Sequence, residues 1–181
     1  MSEITTIYLI SQLITVLYYG LFAWSYLLKS QKSIIIVGLL GVILNAAAYI
    51  LLGAWTGVMM CVIAIIRNLI RYHAEVTDSK FGTSNFFFIL ILLAIVGVTI
   101  PFYDGWLSLM SVFATAIYSY SIWQKNPTVY KICGLPVGIL WIIYNLYIGS
   151  VFGWILETGL LVFAIVGLIL TRRQKRLHSL D

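Results

Sequence analysis

The sequence predicts an all-α membrane protein with seven transmembrane helices in a 3+1+3 arrangement, two parallel triple-helix repeats joined by a linker helix. Three observations carry this expectation. Hydrophobic residues make up 62% of the 181-residue chain and charged residues 9%, with a mean hydropathy of +1.03, so the chain has too little polar surface to face water and must use lipid as its solvent. Seven apolar stretches recur along it, each near the roughly 20 residues that cross a bilayer as a helix. The chain also matches itself at a shift of 96 positions.

The stretches lie at about residues 5–28, 33–53, 55–73, 84–101, 104–123, 129–149 and 151–171. In hydrocarbon a backbone must satisfy its own hydrogen bonds, so each is read as a helix. The first is expected to remain in place rather than be cleaved as a signal peptide: no Lys or Arg precedes it, it is too long for such a segment, and no small-x-small site follows. Gln12, Thr15 and Tyr19 recur along it at helical spacing. The second carries Asn45 and Tyr49, four apart and on one face, and Arg67 and Arg71 approach the end of the third. The fifth carries Ser108, Ser111, Thr115 and Tyr118, and the seventh carries Glu157. Inside the sixth stands Gly134-Leu135-Pro136-Val137-Gly138. Pro136 removes a backbone hydrogen bond there, so Gly134, Pro136 and Gly138 are read as a hinge.

At the shift of 96, Leu13 meets Leu109, Val16 meets Val112, Ser25 meets Ser121, Lys29 meets Lys125, Gly38 meets Gly134, Ile43 meets Ile139, Leu44 meets Leu140, Gly53 meets Gly149 and Gly57 meets Gly153, without a gap. The Gly, Ser and Lys matches carry most weight, because apolar identities arise easily in membrane segments. A three-helix unit ends on the face opposite its start. Two copies can share an orientation only if a further helix brings the chain back, which is the role of the fourth, and the repeats are then related by an axis along the membrane normal. The expected division is 1–73 for the first repeat, 74–103 for a cytoplasmic loop and the linker helix, 104–171 for the second repeat and 172–181 for a basic tail. The pairs Gly53/Gly57 and Gly149/Gly153 each straddle an interhelix turn, so tight reversal is favoured over helix pairing.

The balance of +5 is compatible in principle with nucleic acid, but its placement argues for a membrane. All eleven Lys and Arg fall on one side in this topology, and only Glu3 and Asp104 are charged on the other. The N-terminus is therefore expected outside and the C-terminus in the cytoplasm, with the TRRQKR segment as an anchor among lipid headgroups. Cys61 and Cys133 differ too much in depth for an easy disulfide and are read as packing residues. His73 and His178 are isolated, so no metal site is expected. Phosphate-binding glycine loops and nucleophile elbows are absent from the sequence, and the seventh helix has no Lys for a retinal Schiff base. Neither enzymatic chemistry nor a cofactor is expected.

The polar residues sort onto matching faces. The shift lands Gln12, Thr15 and Tyr19 on Ser108, Ser111 and Thr115, while Asn45 and Tyr49 land on Trp141 and Asn145. At about 1.5 Å per residue, Asn145 lies roughly 6 Å, Glu157 roughly 9 Å and Asn45 roughly 12 Å below the outer loops. The set Asn45, Tyr49, Trp141, Asn145, Glu157, Gln12 and Ser111 is read as the lining of a cavity for a small polar solute, the amides offering donors and acceptors and the rings flat faces. The alternative is a non-transporting scaffold or sensor subunit in which these groups hold helices together. Glu157 could bind the solute, take up a proton or close a helix contact, and Arg67 is expected to snorkel toward the cytoplasm beside Arg71. Homo-oligomerisation is left open.

Trp141, Asn145, Gly149, Ser150, Gly153 and Glu157, with the earlier Leu51-Leu52-Gly53 turn and Arg67, resemble the bacterial inner-membrane YgjV-like proteins over nearly the whole chain. The 3+1+3 plan is similar to that of the wider group of SWEET sugar facilitators and PnuC vitamin-precursor transporters. That resemblance implies a transporter or facilitator of a small polar solute, working by alternating access at a site between two triple-helix bundles. The chain has no Pro-Gln dipeptide and no paired helix prolines of the SWEET kind, so sugar itself is not implied.

One-sided Lys and Arg predict a topology. Cysteines introduced at Ser79 and beside Asp104 will react with a membrane-impermeant thiol reagent from opposite faces, Ser79 from the cytoplasmic one. Labelling of both from outside would refute the odd number of crossings.

Overall fold

A computed structural model describes the backbone of residues 2–28, 30–79, 84–103, 105–124 and 127–177, and the side chains of 5–25, 28, 30, 32–79, 84–103, 105–124, 129–162, 164 and 165. Glu3, Lys29, Lys80, Asp104, Lys125 and the basic tail, on which part of the charge asymmetry rests, lie outside the described side chains. Among the described residues there are seven α-helices and no strands: α1 (Ser2–Leu27), α2 (Gln31–Leu51), α3 (Trp55–Val76), α4 (Asn85–Thr99), α5 (Ser108–Trp123), α6 (Pro127–Tyr147) and α7 (Val151–Leu177). A 3-10 turn, Ile100–Phe102, follows α4, with Pro101 in its first positions.

These helices fall where the apolar stretches predict them, with one departure of consequence. Five are long and apolar enough to cross a membrane on length and composition, α1 to α4 and α6, with α4 counted through its 3-10 turn, and the described part of α7 forms a shorter apolar helix, Val151–Val162. The fifth begins at Ser108 rather than near 104 and has 16 residues, about 24 Å of rise against a hydrocarbon core of about 30 Å. Its composition explains the shortfall in apolarity. Ser108, Ser111, Thr115, Ser119 and Ser121 are all buried, so its polar face points into the protein.

The whole molecule repeats that inversion. Ser11, Gln12, Thr15, Asn45, Arg67, Asn68, Arg71, Asn145 and Glu157 are buried, while Leu9, Leu13, Leu17, Leu40, Leu93, Phe113 and Val162 are exposed. In water this arrangement would be unstable; in lipid it is the one that keeps polar groups out of hydrocarbon. Most buried hydroxyls are satisfied within their own helix. Ser11 donates to the Tyr8 carbonyl, Thr15 to Ser11, Ser111 to Ser108, Ser119 to Thr115 and Ser121 to Tyr118, at 2.6 to 2.8 Å.

Packing follows chain order within each trio. Helix α1 lies on α2 and α2 on α3; α5 lies on α6 and α6 on α7. The trios meet through α1 against α7 and α3 against α5, two contacts that the shift of 96 exchanges, and α4 rests on α3 and α5. The interhelix turns repeat the same closing bond. Ala54 N–H donates to the Tyr49 carbonyl and, 96 positions on, Ser150 N–H donates to that of Asn145, both at 3.0 Å. Gly53 and Gly149 close these helices with φ of +68° and +73°, the left-handed conformation in which glycine carries no Cβ penalty. A Cβ on Gly57 would lie 2.8 Å from the Tyr49 ring and 3.0 Å from the Tyr144 hydroxyl, and one on Gly153 2.9 Å from the Asn145 amide. Each turn is therefore a tight reversal followed by a close helix approach.

Helix α6 runs unbroken through Pro136. Gly138, expected as part of a hinge, has a second use: a Cβ there would lie 3.2 Å from Glu157 Oε1. Its missing side chain makes room for the carboxylate.

Gly57→Ala will lower stability by about 1 to 3 kcal/mol, the usual cost of forcing extra volume into a packed site. Gly20 has no atom within 4 Å of the corresponding position, so Gly20→Ala is the matched control and will be neutral or slightly stabilising. Detergent thermal-denaturation curves check both; equal effects would contradict the close approach.

Candidate functional site

Two layers of side chains fill the contact between the trios. Nearest the Gly53 and Gly149 turns, the Asn145 amide accepts from the Tyr49 hydroxyl at 3.3 Å and donates to the Tyr19 hydroxyl at 3.4 Å. Tyr19 is in turn within hydrogen-bonding reach of the Glu157 carboxylate. The Gly57 N–H donates to the Tyr144 hydroxyl at 2.9 Å. Gln12 Oε1 accepts from the Phe152 N–H at 3.0 Å, filling an orphan donor in the first turn of α7. Tyr8 donates to the Gly149 carbonyl at 3.2 Å. Each of these bonds joins a helix of the first trio to one of the second or to its α6–α7 turn.

Deeper lies a cavity of about 50 Å³, lined from every helix except α4. Asn45, Cys61 and Arg67 line it from the first trio with Tyr18 and Phe22; Thr115, Tyr118, Trp141 and Glu157 line it from the second. The Asn45 amide donates to Cys61 Sγ at 3.7 Å. Arg67 Nη1 donates to Ser119 at 2.9 Å, Nε donates to the Asn68 carbonyl oxygen at 3.1 Å, and the guanidinium stands 4.9 Å over the Tyr118 ring. A carboxylate and a guanidinium thus line one interior cavity, and the guanidinium hydrogen-bonds to neutral groups.

A wider cleft of about 570 Å³ opens at the end carrying the glycine turns, between the α2–α3 turn, the 3-10 turn and the end of α6. Tyr144 lines the cleft and Trp141 lines the inner cavity. Their rings meet edge to face at 5.5 Å, and Tyr49 stacks on Trp141 at 6.1 Å. These three rings connect the two spaces.

Of the residues singled out in the sequence, Asn45, Trp141 and Glu157 line the inner cavity. Tyr49, Asn145 and Gln12 occupy the hydrogen-bonded layer beside it, and Ser111 bonds its own helix. Arg67 corrects the expectation of snorkelling. Neither it nor Arg71 has exposed surface, because α5 covers them, Arg67 with Ser119 and the Tyr118 ring and Arg71 with the Trp123 ring. Cys61, read as packing, also faces the cavity; both cysteines are free thiols, as their difference in depth predicts. Tyr18, Tyr19 and Tyr118 were not singled out as site residues. Their helical spacing with Thr15 and Thr115 was the available signal. Among the described residues no group of three His, Cys, Asp or Glu is placed to hold a metal ion.

No curated protein and no solved structure matches the chain. One family does, over residues 9–175, and its description is bacterial inner membrane protein. The match spans nearly the full length and agrees with several membrane-length apolar helices and an inverted burial pattern. This multi-pass protein belongs to the Imp-YgjV family of bacterial inner membrane proteins.

Proposed function

We propose that the protein is a transporter or facilitator of a small polar solute, with no enzymatic step, working by alternating access between α1–α3 and α5–α7. The observation that carries the reading is the inner cavity, in which Asn45, Arg67, Trp141 and Glu157 share a space lined by both trios. Ionisable side chains inside a membrane protein are expensive and mark solute or proton paths. In this reading all seven helices cross the membrane, the trios with their linker form a 3+1+3 arrangement divided at about residues 73 and 103, and the glycine turns face outward. The exchange of the α1–α7 and α3–α5 contacts by the repeat supports it. The plan is similar to that of the SWEET and PnuC transporters.

At about 50 Å³ the cavity exceeds the roughly 10 to 15 Å³ that holds one water molecule and falls well short of the roughly 300 Å³ at which ligand pockets begin. This is a closed state in the proposed cycle. Opening to the outer cleft requires the Tyr49, Trp141 and Tyr144 rings to part, with Gly134, Pro136 and Gly138 as the flexible part of α6. A second reading, a non-transporting scaffold or sensor subunit, has its own support: Tyr49, Asn145 and Gln12 already have protein partners across the trio contact. Solute uptake by purified protein in liposomes, over a panel of nucleosides, vitamins and sugars, separates the two.

The variants divide the roles. Asn145→Leu removes bonds to both Tyr49 and Tyr19, each worth about 0.6 kcal/mol on the average for buried membrane hydrogen bonds, so it will lower stability by roughly 1 kcal/mol and impair uptake. Glu157→Gln keeps the shape but cannot titrate. It will leave exchange of internal for external solute intact while removing gradient-driven accumulation. If both activities fall together, Glu157 binds solute through its charge; if neither changes, it serves only packing.

A further inference from the structure

Among the described residues, the unsatisfied buried donors gather from the Arg67 wall of the inner cavity onward, at the α3–α5 contact. Arg71 has no exposed surface, and its Nε, Nη1 and Nη2 all lack a hydrogen-bond partner. Arg67 Nη2, Asn68 Nδ2 and Trp123 Nε1 are buried and unpartnered as well. A buried polar group without a partner is destabilising, and a buried charge more so. Five of these six orphan donors belong to side chains at the α3–α5 contact, and among the described residues no buried side-chain acceptor is orphaned, which describes a site rather than a packing fault.

Placement brings them together. Arg67 and Arg71 are four apart on α3 and so lie one above the other on the same face. Both guanidinium groups enter the contact with α5, Arg67 at 4.9 Å over the Tyr118 ring and Arg71 at 5.2 Å over the Trp123 ring. Asn68 holds Arg67 through its side-chain oxygen, while its amide nitrogen lies toward Gly38 of α2. The hydrogen bonds Arg67 does make are to neutral acceptors, Ser119 and Asn68. Glu75, one turn beyond Arg71, acts on it only through space. Two cations one helical turn apart in a low-dielectric contact repel, and the ring faces compensate only part of that cost.

We infer that Arg67 and Arg71 of α3, with Trp123 of α5, form a binding site for an oxyanion, a phosphate or carboxylate group, with Asn68 holding Arg67 in place. Guanidinium forks suit such oxygens geometrically as well as electrostatically. The inference stands whether or not the protein transports a solute. The anion has two sources, the headgroup of an acidic lipid or a small soluble anion that reaches Arg67 through the inner cavity.

The test uses full-length protein stripped of lipid in a nonionic detergent. Thermal unfolding is followed with inorganic phosphate, with dioleoylphosphatidylglycerol mixed into the micelle, and with sodium chloride at equal ionic strength. Phosphate or phosphatidylglycerol will raise the melting temperature of the wild type beyond the chloride control, and Arg71→Met will weaken the apparent affinity by about tenfold or more, as loss of a charge-assisted hydrogen bond does. Without either anion, Arg71→Met will melt no lower than the wild type, since it relieves an uncompensated charge. Stabilisation by phosphate identifies a soluble anion, and stabilisation by the lipid alone identifies a headgroup. Trp123→Phe, which keeps the ring and removes one donor, reports if Arg71→Met does not fold, and will reduce the same shift. No stabilisation of the wild type by either anion beyond chloride, or an undiminished shift in both variants, overturns the site.

Discussion

Asn145 makes the connection on which the rest of the interior depends. Its amide accepts from Tyr49 of α2 and donates to Tyr19 of α1, so one side chain of α6 spans two helices of the opposite trio. In lipid the apolar faces of helices gain little by leaving hydrocarbon, and association relies on close packing and interhelical hydrogen bonds. The glycines at positions 57 and 153 allow that closeness, one against the Tyr49 ring and one against the Asn145 amide. Bond and approach occur at equivalent places in both halves, and this is where the repeat has its physical use.

The halves are alike in backbone and unlike in chemistry. Cys61 in the first trio stands where Glu157 stands in the second, and Asn45 where Trp141 stands. The cavity consequently has a carboxylate contributed by α7 and a guanidinium contributed by α3, with no symmetric copy of either. The repeated frame thus carries an asymmetric interior. Gly138 fits this scheme, because the equivalent Val42 has no carboxylate opposite it and needs no such gap.

Much of the architecture is legible in the sequence because membrane helices obey simple rules. Length and apolarity locate the elements, and glycine at 53 and 149 marks reversals that adopt positive φ. The spacing of Gln12, Thr15 and Tyr19 identifies the inward face of α1, and all three are buried. Facts about neighbours were less legible. A depth count places Arg67 far from Glu157 and near water; only the adjacency of α3 and α5 reveals Ser119 and Tyr118 as its partners. The same adjacency is needed to see that Arg71 is covered. Ser111 and Asn145 look alike as interior polar residues, yet the hydroxyl bonds its own helix while the amide must find another. That difference follows from side-chain reach, which the sequence does contain.

Cys61 offers the most direct measurement of the central claim, that the trios enclose a polar space opened alternately to the two faces. In Cys133→Ser protein it is the one remaining thiol, and it lines the cavity in the closed arrangement. The account predicts that a small membrane-impermeant thiol reagent modifies Cys61 in folded, reconstituted protein from either face, slowly, and that a solute able to occupy the cavity retards the reaction from both. Complete resistance of Cys61 from both faces, while the unfolded protein reacts at once, would contradict it.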